Sequence, residues 1–207
     1  MPQANEYPEP KRLDYPSDEA DQPWLSYAFD AYHAADIGVW KGIAAEERKG
    51  RSLACAMGCS NCCRSHTTIP IFPLELLGLY WFVSRQMATE TRAQLKPQLD
   101  RHQKGEACPF LLNEVCSVHP MRPLACRHFN VFGQACAVGE DAFYTRREDV
   151  LTPIKSYQDE AFKAMLPFHG FTTEAQQVQA MKGAYIQQQA KVLQDIDWAH
   201  LATRIGS

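Results

Sequence analysis

The 207-residue chain contains no apolar run long enough to cross a bilayer. Its most apolar stretch, Ile69 to Val83, is broken by two prolines and Glu75, and it is shorter than the roughly 20 residues a spanning helix needs. A basic start followed by an apolar segment is also missing from MPQANEYPEP, so no secretory signal is expected. The net charge of -3 leaves no concentration of Lys and Arg of the kind that binds phosphates, which argues against a nucleic-acid partner. No repeat of fixed period appears, nor a Gly-rich strand-to-helix turn for a nucleotide or methyl donor. Alternating strands are scarce, with Thr67 to Phe72 as the best candidate. These absences leave a mainly helical protein, outside the membrane and expected in the cytoplasm.

What is present falls into helical stretches around a cysteine-rich middle. Residues 1–23 hold five of the thirteen prolines and six acidic residues against two basic ones, a composition that buries little apolar surface and predicts an extended arm. Residues 24–207 are read as one domain. Trp24, Ala28, Ala31 and Ala35, flanked by Phe29, Tyr32, Val39, Trp40 and Ile43, recur at helical spacing and predict a helix over 24–48. Pro73 suits the start of a buried helix, LELLGLYWFVSRQM. A third helix is expected over 89–104, kinked or split at Pro97, and a short one over 159–166. Thr173 and Gln176 form a capping-box signature ahead of a long helix expected over 173–195. Between Glu106 and Gly139 the periodicity vanishes, as in a ligand-bearing loop region.

Eight cysteines are more than a chain of this length needs for folding. In a reducing cytosol, clustered cysteines read as metal ligands before disulfides. Four lie in CAMGCSNCC, as Cys55, Cys59, Cys62 and Cys63; four more, Cys108, Cys116, Cys126 and Cys136, are spread through the loop region. The Cys59-x2-Cys62 turn can put two sulfurs on one ion or cluster. The adjacent Cys62 and Cys63 point apart, so they suit two metals or leave one outside the ligand set. Cys136 reads equally well as an inert buried thiol. The spacing Cys55-x3-Cys59-x2-Cys62 also matches the cluster motif of radical S-adenosylmethionine enzymes. Those resemble partial TIM barrels, however, and the repeated βα units of such a barrel are missing here.

CAMGCSNCC, then CPFL from Cys108 to Leu111, then CSVHPMRPLACRHF from Cys116 to Phe129, closely resemble the YkgJ-like family, also called the CxxCxxCC family, of zinc- or iron-chelating cysteine-cluster proteins. Cys55, Cys59, Cys62, Cys63, Cys108, Cys116 and Cys126 stand at the family's cysteine positions, and Arg122, Pro123 and Arg127 at its RPxxCR positions. The first cysteine gap holds three residues where the family name implies two, and His119 stands where the family usually has Tyr. The resemblance implies metal binding without a particular reaction.

Arg122 and Arg127 flank Cys126, where guanidinium groups would offset the charge of clustered thiolates around a bound cofactor. His66, His119 and His128 could replace a sulfur ligand, although a solvated or core histidine is the simpler reading of each. The run from Arg146 to Asp149 reads as an exposed, self-neutralising stretch. The expectation is a helical metalloprotein whose two cysteine groups meet in space to hold an iron–sulfur cluster, of the [4Fe–4S] kind among others, or zinc. Two alternatives stand beside it: a cluster-dependent redox or protein-modifying enzyme, and an interaction module with purely structural zinc.

Overall fold

The spacing that begins at Trp24 does make a helix. In the computed structural model, which describes residues 7–56 and 58–205, Trp24–Arg48 is a 25-residue helix burying Leu25, Ala28, Phe29, Ala31, Tyr32, Ala34 and Ala35. The helices run in chain order as α1 (Pro16–Asp21), α2 (Trp24–Arg48), α3 (Asn61–Ser65), α4 (Pro73–Trp81), α5 (Thr89–Arg101) and α6 (Leu124–His128). Then follow α7 (Ala142–Thr145), α8 (Lys155–Met165), α9 (Glu174–Lys182), α10 (Tyr185–Gln188) and α11 (Ala199–Arg204). Four two-residue strands, β1 (Pro70–Ile71), β2 (Leu111–Leu112), β3 (Val115–Cys116) and β4 (Lys191–Val192), pair antiparallel as β1 with β4 and β2 with β3. The protein is mainly helical, and no helix among the described residues is long and apolar enough to cross a membrane.

Where the sequence suggests a single domain after residue 23, contacts divide the described chain into two compact units. The first gathers residues 7–54, 127–134 and 148–189. In it α2 packs on α8 at very short range, because Gly38 and Gly42 present no side chain. A Cβ on Gly38 would meet the Tyr157 Cβ at 2.6 Å, and one on Gly42 would meet Leu151 at 3.1 Å. Ile43, Phe132 and Leu151 fill the adjoining core, and bridges Leu53↔Phe132 and Val131↔Val150 hold the 131–132 segment between two neighbours.

The arm is not extended throughout, as composition suggested. Residues 1–6 lie outside the described residues, but Pro16–Asp21 is helical and residues 12–19 dock on α2. Arg12 Nε donates to Asp30 at 2.6 Å and Arg12 Nη2 to Glu19 at 2.8 Å, with the guanidinium 5.5 Å over the Phe29 ring. A local ion pair on an aromatic face thus supplies what the Pro-rich composition lacks.

The second unit gathers residues 55–126, 135–147 and 190–205, Met57 lying outside the described residues. Here α5 packs on α11, and the chain's last segment returns to the strand after the cysteine helix through the β1–β4 pair. Trp198 is its largest fully buried side chain, edge-on to Phe110 at 4.7 Å, with its Nε1 donating to the Leu193 carbonyl at 3.0 Å. The long helix expected over 173–195 does not form. The capping box is present, with Gln176 N donating to Thr173 Oγ1, but Gly183 ends α9 and Ala184 takes φ +50°. A left-handed non-glycine residue cannot sit within a right-handed helix, so residues 185–195 become a short helix, a strand and a 3-10 turn. By contrast α5 runs through Pro97 unsplit to Arg101.

Candidate metal centre

All eight cysteines are free thiols and all belong to the second unit. Cys62 and Cys63 stand on α3, a single helical segment opened by the half-turn Cys59 N to Ala56 O and by Ser60 O, which accepts from Cys63 N. Cys108 N donates to the Cys63 carbonyl at 2.8 Å, which seats the CPFL segment against that helix. Gln98 Nε2 donates to both Pro109 O and Leu111 O, clamping the same segment from α5. Beyond it the chain reverses at Asn113 and Glu114, both with positive φ, in the left-handed pair that a two-residue hairpin demands. Cys116 therefore comes back opposite Leu111. Glu114 at the hairpin tip ties to α3, accepting from Ser60 Oγ at 3.1 Å and pairing with Arg64.

Cys126 is placed by a buried acid. Glu75, fully buried in the first turn of α4, accepts from Phe72 N at 2.9 Å and from Leu124 N at 2.6 Å. One carboxyl group so anchors the start of α4 and the start of the helix carrying Cys126. Gln194 performs the corresponding task at the other end of α3, its side chain donating to His66 O and accepting from Ile69 N. Neither role is visible in the sequence by chemistry type. Glu75 carries one legible signal, an acid three residues after the start of an otherwise apolar run.

The thiols separate into two groups. Cys62 interacts with Cys63, Cys63 with Cys108, and Cys116 and Cys126 lie within electrostatic reach of them. The Cys63 contact and burial push the Cys62 thiol up, and the Cys108 contact lifts Cys63 to about 12. Burial raises Cys126 well above its ordinary value, with Cys62, Cys116, Cys63 and Glu75 adding to the effect. Cys126, like Cys62, Cys63 and Cys116, is half-buried. The second group is Cys55, Cys59 and Cys136. Asn61 Nδ2 donates to Cys136 O at 2.7 Å, bringing that loop beside the first cysteines, and Arg146 Nη2 approaches the Cys136 sulfur at 3.8 Å. Burial raises the Cys136 thiol, Arg146 opposes this, and Glu140, Cys55 and Cys59 add to the rise.

The histidines and arginines stand otherwise. His66 pairs with Asp141 at 3.2 Å, and His119 with Arg122 at 2.7 Å. Burial holds His128 neutral, at about 4. Arg127, 4% exposed, pairs with Asp36 at 2.5 Å and lies 4.1 Å over the Tyr32 ring, contacts within the first unit. In the 146–149 run, Arg146 pairs with Glu140 at 2.7 Å and Asp149 with Arg51 at 3.1 Å, so the run's charges also reach partners outside it.

Among the described residues, no group of three or more Cys, His, Asp or Glu side chains is placed to hold a metal ion. The donor chemistry nonetheless fits a thiophilic metal: the thiols come from four separate segments, and burial and neighbouring sulfurs hold Cys62, Cys63 and Cys126 above their ordinary values, which a cation would relieve. Residues 54–150 match the family described as CxxCxxCC: Putative zinc- or iron-chelating domain. No curated protein and no solved structure matches the chain.

Proposed function

We propose that this chain, whose residues 54–150 match the CxxCxxCC family, holds an iron–sulfur centre on its inner thiols, Cys62, Cys63, Cys108, Cys116 and Cys126. The observation that carries the reading is the geometry that brings their segments together: Cys108 N donates to the Cys63 carbonyl at 2.8 Å, Cys116 pairs opposite Leu111 at the end of the CPFL segment, and Glu75 anchors the start of the Cys126 helix. Five exceed the four that a tetrahedral zinc can use, and they suit a polynuclear centre whose metal atoms each need fewer protein ligands. A bound centre of this kind supplies one-electron chemistry or a structural cross-link. The protein's own residues hold the ligand segments: Glu75 fixes the start of the Cys126 helix, Gln194 the end of the Cys62–Cys63 helix, and Glu114 the hairpin leading to Cys116. Eight free thiols accord with a reducing compartment, the cytoplasm.

Anaerobic purification followed by iron, zinc and acid-labile sulfide analysis tests this. Visible absorption with matching iron and sulfide is expected, and Cys108→Ser or Cys126→Ser should lose both together with thermal stability, since binding energy is also folding energy. Stoichiometric zinc without sulfide in a colourless protein would replace the iron–sulfur centre with zinc on the same thiols. Metal content and melting temperature unchanged in both variants would overturn the site.

A further inference from the structure

A groove of about 590 Å³ lies in the first unit, outside residues 54–150, lined by His169, Phe171, Gln176, Gln179, Tyr185 and Gln188 with small residues between them. That volume falls within the roughly 300–1,000 Å³ of small-molecule sites. Its shape comes from the break after α9. Gly183 ends that helix and Ala184 takes φ +50°, a left-handed conformation that is strained for a residue with a Cβ. Past the break the Tyr185 ring meets two others edge-on, with centroids 4.7 Å from Phe171 and 5.3 Å from His169. Burial lowers His169 below its ordinary value, so at neutral pH this third ring is uncharged too. No Asp, Glu, Lys or Arg lines the groove among the described residues. Its polar groups are amides, two of them oriented by the backbone. Gln176 Oε1 accepts from Thr172 N at 3.1 Å and Thr173 N at 3.0 Å, which leaves its NH₂ to donate. Gln188 Nε2 donates to Gly183 O at 2.8 Å, which leaves its carbonyl to accept.

We infer that this groove binds an uncharged, planar heterocycle with a lactam edge, an N–H beside a C=O, as a purine base such as hypoxanthine carries. Three neutral rings favour a flat π-system as the body of the ligand. A charged ligand would lose water there and gain no countercharge, whereas a neutral ring gives up little hydration. The two oriented amides then match the polar edge: Gln176 donates to the ligand C=O, and Gln188 accepts from the ligand N–H. The strained turn at Ala184 is what sets Tyr185 against Phe171 and His169 instead of letting α9 run on past them. None of these residues belongs to the cysteine-bearing unit, so the site stands apart from the metal-binding reading.

The test uses the full chain with hypoxanthine as the probe, titrated by saturation-transfer difference NMR, and circular dichroism to establish that each variant is folded. Wild type should bind saturably. Tyr185→Ala should weaken binding about 5- to 150-fold, the worth of one aromatic ring against a base, and Tyr185→Phe, which keeps the ring, should bind as wild type does. 1-Methylhypoxanthine, its lactam N–H blocked, should bind roughly 2- to 13-fold more weakly, the worth of one hydrogen bond. Benzoate, flat but anionic, should not compete. Gln179 is exposed on α9, so Gln179→Glu should fold normally and weaken binding by placing a charge in the groove; it decides the matter if Tyr185→Ala does not fold. Absence of saturable binding to wild type, or unchanged affinity in Gln179→Glu or in a folded Tyr185→Ala, would overturn the site. Equal affinity for 1-methylhypoxanthine or benzoate would overturn the ligand class. Metal content should be the same in all variants as in wild type, and its loss in a folded Tyr185→Ala would overturn the separation of this site from the metal centre.

Discussion

Replacing Glu75 tests the claim that one buried carboxyl group positions Cys126. The side chain accepts from two buried backbone N–H groups, Phe72 N and Leu124 N. Glu75→Ala leaves both donors without that partner, and each such loss costs about 1–3 kcal/mol, so the substitution should cost about 2–6 kcal/mol. For a chain of this size roughly 2–4 °C is lost per kcal/mol, so the melting temperature should fall by about 4–24 °C. Glu75→Gln keeps one acceptor oxygen and turns an amide toward the other donor, so it should fall between Ala and wild type. Because Cys126 follows Leu124 by two residues on the same short helix, metal content should fall alongside stability. The assay is thermal unfolding by circular dichroism with metal analysis on the same samples, with and without chelator. A Glu75→Ala protein melting within about 1 °C of wild type with full metal content would refute the reasoning, since two stranded donors cannot be that cheap.

The remaining predictions concern the first unit. Gly38→Ala improves helix propensity by about 1 kcal/mol, yet its Cβ would lie 2.6 Å from the Tyr157 Cβ. Overpacking of that kind costs about 1–3 kcal/mol, so the net result should be a lower urea midpoint with unchanged metal content, and a raised midpoint would contradict the close approach of α2 and α8. Arg12 beside Glu19 holds the Glu19 carboxyl at about 2, below its ordinary 4.5. A depressed acid stabilises the folded state above its unfolded value and loses that contribution as protons bind, so stability should decline as pH falls from about 4.5 toward 2. Glu19→Gln should flatten that part of the acid limb in pH-dependent melts, and an unaltered limb would mean that the arm does not dock through this pair.

Much of this molecule follows from local pattern alone. The Ala and aromatic spacing from Trp24 defines α2 at both ends, because a helical period repeated over seven turns outweighs any local competitor. Pro73 opening α4 and the Thr173–Gln176 box opening α9 are equally local devices, readable without a partner. The cysteine motif likewise carried the metal chemistry and the meeting of Cys63 with Cys108. Only the tertiary structure decided how the cysteines divide. Cys62 and Cys63 follow Cys59 closely in the chain, yet Cys63 O accepts from Cys108 N, while the Asn61 side chain between them and Cys59 reaches Cys136 O. That partition depends on Asn61, Glu140 and Arg146 closing a distant loop, and on Glu75 and Gln194 holding helix ends from far along the chain. Composition made Arg146 look like one charge in a neutral run and residues 1–23 look like an unpacked arm. Sequence records which groups a residue carries, but a hydrogen bond or ion pair is chosen by distance in space, and for these residues that distance exists only once the chain has folded.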